Sequence, residues 1–119
     1  MVYASDSLSL AMLEILVHVP RATLLQPLLG MKLEVNEKFV LRLDRKSLPS
    51  DWDSYPFSRK TQSIGDNWVA RCESLALFVP SAVVPVQYNL LINPRHIAAR
   101  TLRIAERRAV SFDSRFANG

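Results

Sequence analysis

Glycine is scarce in this chain: Gly30, Gly65 and Gly119 are the only three in 119 residues. A phosphate-cradling loop and a dinucleotide fingerprint each need glycines at fixed short spacings, so both are excluded, as is a G-x-S-x-G elbow around Ser81. Any nucleotide must then be held by side chains and strand edges. Cysteine is scarcer still. Cys72 stands alone beside two histidines, His18 and His96, too few for a four-ligand zinc site, so no metal is expected. A lone thiol suits a reducing compartment and reads as a packed, inert side chain. No basic leader runs into a short apolar segment with a cleavage site, so secretion is not indicated and the expected location is the cytoplasm.

Charge is missing from one long stretch, Ser74 to Pro94, in a chain that is 22% charged. So long an uncharged run means interior. Pro80, Pro85 and Pro94 interrupt it, which argues against a membrane helix. Leu75 to Val79 and Tyr88 to Ile92 are aliphatic and β-branched segments bounded by turn formers, and predict two buried strands joined by a tight bend. Ser81 sits in that bend, either as a turn cap or as part of a site.

Length predicts one domain spanning 1–119, able to bury roughly two-thirds of its unfolded surface. The net charge of +4 allows an anionic ligand, an acidic partner or nucleic acid. The C-terminal arginines lack the aromatic interleaving of single-strand binders, so direct nucleic-acid binding is not expected.

From the start, Met1 to Ala4 reads as the end of a strand. Ser5 and Asp6 are candidate caps for a helix from Leu8 to Val19, stopped by Pro20. Within it Leu10, Leu13, Glu14 and Val17 share a stripe. Glu14 is the only acid between Ser7 and Arg21. Such a carboxylate is either a functional acid facing a cavity or a surface partner of His18 one turn on. Arg21 to Leu29 reads as a connector. The segments 31–35 and 39–44 alternate apolar and charged residues and predict a hairpin or a bent strand pair, with Asn36 and Glu37 as the turn. Trp52 and Tyr55 are expected to seal one end of the core, and a second helix is predicted over Thr61 to Ser74. After Pro94 come a short helix or turn through Ala99 and two edge strands, Thr101–Ala105 and Ala109–Phe112, around a charged turn at Glu106 to Arg108. Helices and strands mix without regular alternation, which predicts an α+β fold with a mainly antiparallel sheet.

Four segments, in order, resemble the RES-domain family, the toxins of Xre–RES toxin–antitoxin modules. VYASDSLSLAMLEILVH is similar to the family's strand-to-helix segment with its tyrosine and glutamate. LPSDWDSYP followed by TQSIGDNW resembles its middle signature, VPSAVVPVQYNLLINPRH its serine segment, and SFDSRF its closing aspartate–arginine motif. The resemblance covers essentially residues 1 to 119. It implies an ADP-ribosyltransferase-like fold and a toxin that degrades NAD⁺, releasing nicotinamide by hydrolysis or phosphorolysis, with NAD⁺ as substrate and no further cofactor. It implies Glu14 and Ser81 as catalytic residues, Glu14 stabilising positive charge on the nicotinamide ribose or orienting its hydroxyls. Tyr3 and Ser81 would bind substrate. The implied protein partner is an Xre-family antitoxin, with no membrane contact and room for an oligomer. The family arginine lies upstream of the strand that ends at Tyr3 and has no counterpart here, so the resemblance implies an N-terminally truncated domain. The alternative implied by that departure is a catalytically inactive domain that only binds its antitoxin.

Overall fold

The computed structural model describes residues 1–117; Asn118 and Gly119, the last two positions of the resemblance, lie outside the described residues. The fold is α+β. Strand β1 (Val2–Ser5) leads into helix α1 (Leu8–His18). Strand β2 (Leu28–Glu34), strand β3 (Val40–Arg42), helix α2 (Arg59–Arg71), strand β4 (Ala76–Pro80), strand β5 (Tyr88–Ile92) and strand β6 (Arg103–Val110) follow, with short 3₁₀ turns between them. Four strands form one sheet in the order β1-β5-β4-β3, and β2 pairs with β6 in a separate two-stranded ribbon. All pairings are antiparallel except β3 with β4.

The uncharged stretch supplies the two central strands of the sheet, β4 and β5, as its composition demands. Leu75 and Ala76 are fully buried and Ile92 nearly so. Directly paired residues share a face of a sheet, so the register sorts the side chains. Ala4, Val40, Ala76, Leu90 and Ile92 look toward Leu33, Val35, Ala98 and Leu102. Leu77, Val79 and Leu91 look toward Trp68 and Val69 of α2. Tyr3, opposite Leu91, and Ser5, opposite Asn89, belong to this second face. Fully burying an aliphatic side chain such as Leu75 or Ile92 is worth about 1.5–3 kcal/mol, so the sheet is anchored at its centre.

Several local expectations are corrected. The N-cap of α1 is Ser7, whose Oγ accepts from the Leu10 N–H at 3.1 Å. Ser5 stays in β1, and the Asp6 N–H still donates to the Tyr88 carbonyl; strand pairing runs further than the cap-rich S-D-S sequence suggests. Leu10 is fully buried, but Leu13 and Val17 on the same predicted stripe are exposed.

Neither the hairpin nor the bent strand pair forms, since the two segments do not pair with each other. Asn36 caps a 3₁₀ turn over Glu37–Phe39, its Oδ1 accepting from the Lys38 N–H. The chain is redirected rather than folded back: β2 takes β6 as partner, and β3 lies parallel to β4. Alternation reports that a segment is extended, and it is blind to which strand it pairs with.

The two predicted edge strands are one, β6, with Glu106 to Arg108 in its middle. Nearly every residue of β6 is exposed, so charge costs nothing there, and Arg108 pairs with Glu106 two residues before it on the same face.

Helix α2 ends at Arg71, because Cys72 turns left-handed at φ 54°. Ser74 lies beyond it, taking a hydrogen bond from the Trp68 indole and donating to the Ala76 carbonyl, both at 2.9 Å. Cys72 is exposed rather than packed. Tyr55 is 82% exposed and seals nothing, whereas Trp52 is half-buried. The connector after α1 already contains a 3₁₀ turn, Arg21–Leu25, with Leu24 buried, and the first residues of β2. The turn after Pro94 is 3₁₀ over Ile97–Thr101.

Candidate active site

Helix α1 leaves the end of β1 and carries Glu14 back over the sheet to the bend between β4 and β5. There the carboxylate meets Ser81, 67 residues away in sequence. Ser81 Oγ donates to Glu14 Oε1 at 2.8 Å, and Asn89 Nδ2 donates to the same oxygen at 2.7 Å. Asn89 Oδ1 in turn accepts from Ser5 Oγ at 2.7 Å. Among the described residues, Glu14 Oε2 has the His18 imidazole, 3.7 Å away on the next turn of α1. The Glu14 side chain is 22% exposed, so it is partly desolvated and still reachable.

Ser81 is 0% exposed. Its hydroxyl proton goes to Glu14, and its lone pairs receive the Val83 and Val84 N–H groups at 3.1 and 3.0 Å. A hydroxyl has one donor and two acceptor positions, and all are taken. Ser81 thus caps the bend, as one reading of its sequence position had it, and also binds the Glu14 carboxylate. The bend is also closed by the Ser81 N–H to the Gln87 carbonyl at 2.9 Å. Arg45 reaches it from the far side, donating to the Pro85 carbonyl while its guanidinium lies 5.8 Å from the Trp52 ring and 5.6 Å from the Tyr88 ring.

Glu14 has the His18 approach that its spacing on the helix predicts, through Oε2, while Oε1 is in the cluster. Tyr3 is brought to the same face of the sheet as Ser5 and Asn89, two residues along β1 from Ser5, and is 72% exposed. Asn89 was missed by sequence reasoning. Its signal was a carboxamide inside the aliphatic strand YNLLI, where a buried or half-buried amide needs partners. Two open hollows of about 460 and 510 Å³ lie elsewhere, at the start of α2, lined by Pro49, Arg59 and Lys60 among others. Neither contains Glu14, Ser81, Asn89 or Tyr3, and the one acid among their linings, Asp51 in the second, sits beside Arg59 and Lys60 rather than with a serine and an amide, so the Glu14 cluster is the candidate site. Among the described residues no three His, Cys, Asp or Glu side chains converge as metal ligands, and no helix is long and apolar enough to cross a membrane.

The closing motif has a structural use. Asp113 caps the 3₁₀ turn Ser114–Phe116, accepting from the Arg115 N–H and from its guanidinium Nε and Nη2, each at 2.9 Å. The Arg115 guanidinium, followed by its backbone N–H, holds the Asp113 carboxyl below its usual range, and Asp113 raises Arg115 in return.

Known proteins are similar to this chain along most of its length. The chain is 36% identical to a protein named Toxin Res from Yersinia enterocolitica over 115 residues, covering 96% of this chain and 76% of that protein. A second Toxin Res, from Photorhabdus laumondii, is 41% identical over 93 residues, 78% of this chain and 60% of its own length. A protein named Prs ADP-ribosylating toxin from a Sphingobium species is 33% identical over 117 residues, covering 96% of this chain and 73% of the relative. The RES domain itself matches residues 1–113, so that β1, α1, the Ser81 bend and the Asp113 cap all fall within it, and the chain belongs to the RES-domain family.

Proposed function

We propose that this chain is the toxin of a toxin–antitoxin module and that it acts in the cytoplasm on NAD⁺, cleaving the glycosidic bond to nicotinamide with water or phosphate as acceptor. The observation that carries this reading is the Glu14 carboxylate, 22% exposed and fixed through one oxygen by two neutral donors, while the other oxygen lies 3.7 Å from the His18 imidazole. Neutral donors orient the group without cancelling its charge. As the bond to nicotinamide breaks, positive charge develops on the ribose, and a preorganised anion in a partly dry site stabilises that charge more than it stabilises the ground state. Tyr3, exposed on the same face, supplies a ring for stacking on a base or on nicotinamide. Ser81, fully buried with its hydrogen-bonding capacity filled, acts on substrate through Glu14 and through the shape of its bend. The names of the relatives, two of them toxins and one an ADP-ribosylating toxin, support both the toxin role and an NAD⁺-type substrate. An antitoxin of the Xre family, docked over the Glu14 side of the sheet, would silence such a site by covering it.

The test is to incubate the purified chain with NAD⁺ and follow free nicotinamide, with and without phosphate. Release that requires Glu14 supports the reading, and phosphate dependence identifies the acceptor. A folded chain that binds an Xre-type antitoxin and releases no nicotinamide would instead have the binding role alone.

A further inference from the structure

The two donors on Glu14 Oε1 differ in how they are fixed. Ser81 is locked by the backbone of its own bend. Asn89 carries an amide whose two ends are nearly identical in shape, and turned about its last torsion it would set Oδ1 against Glu14 Oε1, acceptor against acceptor. The orientation that donates to Glu14 leaves Oδ1 pointing at Ser5, whose hydroxyl donates to it at 2.7 Å. Ser5 and Asn89 are direct cross-strand partners, so this pairing is set by strand register and not by a loop. The three groups form a chain of matched donors and acceptors: Ser5 O–H to Asn89 Oδ1, Asn89 N–H to Glu14 Oε1.

We propose that Asn89 is a positioning residue for the Glu14 carboxylate, and that Ser5, by donating to Oδ1, anchors its amide in the orientation that donates to Glu14. The inference rests on the NAD⁺-cleaving reading above. With Oε1 saturated by Asn89 and Ser81, the carboxylate plane is fixed and Oε2 is presented to the ribose. Losing one of the two anchors lets the carboxylate rotate, which lowers turnover while leaving contacts to the rest of the dinucleotide in place.

The experiment compares kcat and KM for nicotinamide release in the wild-type chain, Glu14→Gln, Asn89→Leu, Ser5→Ala and the Ser5→Ala/Asn89→Leu double variant. Asn89→Leu is expected to lower kcat by roughly 10- to 100-fold, the scale on which small misplacements of a catalytic group act, with KM changed by less than about threefold. Ser5→Ala is expected to lower kcat by a smaller factor, and to have no further effect once Asn89 is gone, because groups in one chain of hydrogen bonds are not additive. Wild-type kcat in Asn89→Leu, with Glu14→Gln inactive, would overturn the positioning role and leave the NAD⁺ reading standing. Turnover retained in Glu14→Gln, or absent from the wild type, would overturn the NAD⁺ reading. The Asn89 side-chain amide then decides the positioning role by NMR, which also serves if Asn89→Leu fails to fold. One Nδ2 proton protected from exchange in the wild type and averaged with its partner in Ser5→Ala upholds it; an amide indifferent to Ser5 overturns it.

Discussion

Ser81 and Glu14, from the bend after β4 and from the middle of α1, are joined by a 2.8 Å hydrogen bond in which the serine hydroxyl is the donor. The same hydroxyl accepts the Val83 and Val84 N–H groups, so the shape of the bend and the orientation of the acid depend on one atom.

Replacing Ser81 by alanine therefore has a structural as well as a functional effect. The N–H groups of half-buried Val83 and Val84 lose their acceptor, at up to about 1–3 kcal/mol for an unsatisfied buried group. The expected outcome is a lower urea midpoint with an unchanged slope, together with reduced nicotinamide release. A variant as stable as the wild type would mean the bend finds other partners.

Arg45 clamps that bend from outside, through the Pro85 carbonyl and the Trp52 and Tyr88 rings. Arg45→Lys keeps the charge but loses the planar stacking surface, so it is not a conservative change here. A loss of about 0.5–1 kcal/mol is expected, concentrated at residues 82–87, where hydrogen exchange should speed up before the central strands are affected.

Cys72 closes α2 in the left-handed region without being glycine. Cys72→Gly removes a penalty of about 1–2 kcal/mol for that conformation and adds about 0.4–1 kcal/mol of unfolded-chain entropy. The net expectation is a small gain in thermal stability. Its thiol, exposed and only 3.5 Å from Asn93 Nδ2, should react with an aromatic disulfide reagent without denaturant.

Asp113 gives the chain a local acid response. Its carboxyl titrates below its ordinary value of 3.8 because of Arg115. A depressed carboxyl adds stability above its unfolded value, and that stability is lost as pH falls through the folded one. The C-terminal turn should hold at neutral pH and loosen below about pH 4. The observable is the Phe116 ring, packed edge-on at 6.1 Å against the largely buried Phe112. Its NMR shift should move toward the free-chain value on acidification, and Asp113→Asn should abolish that movement.

Much of this site was legible in the sequence, and its gaps have a common cause. A carboxylate alone on an apolar helix and a serine between prolines in an uncharged stretch each carry a local signature, and the central strands follow from composition. Asn89 and Ser5 do not stand out. Their roles exist only because β1 pairs with β5 in a register that sets them opposite each other, and register is a long-range property. The same blindness turned β2 and β3 into a hairpin or bent strand pair on paper, where the ribbon partner of β2 lies some seventy residues further on. It also split β6 at Glu106 to Arg108, since a strand exposed along its length tolerates charges that would end a buried one. Cys72 was misplaced for a different reason: its side-chain chemistry suggests burial, and the helix needed a left-handed terminus at that position.

The central claim is that the charge of Glu14, held by Ser81 and Asn89, drives release of nicotinamide from NAD⁺. Glu14→Gln is the most direct probe, because the glutamine carbonyl can still accept from both anchors while the negative charge is gone. Measured beside the wild type, on a variant whose thermal unfolding is unchanged, nicotinamide release is predicted to fall by about a hundredfold or more, the scale of losing one preorganised electrostatic contact to a transition state. Release within a few-fold of the wild type would contradict the account.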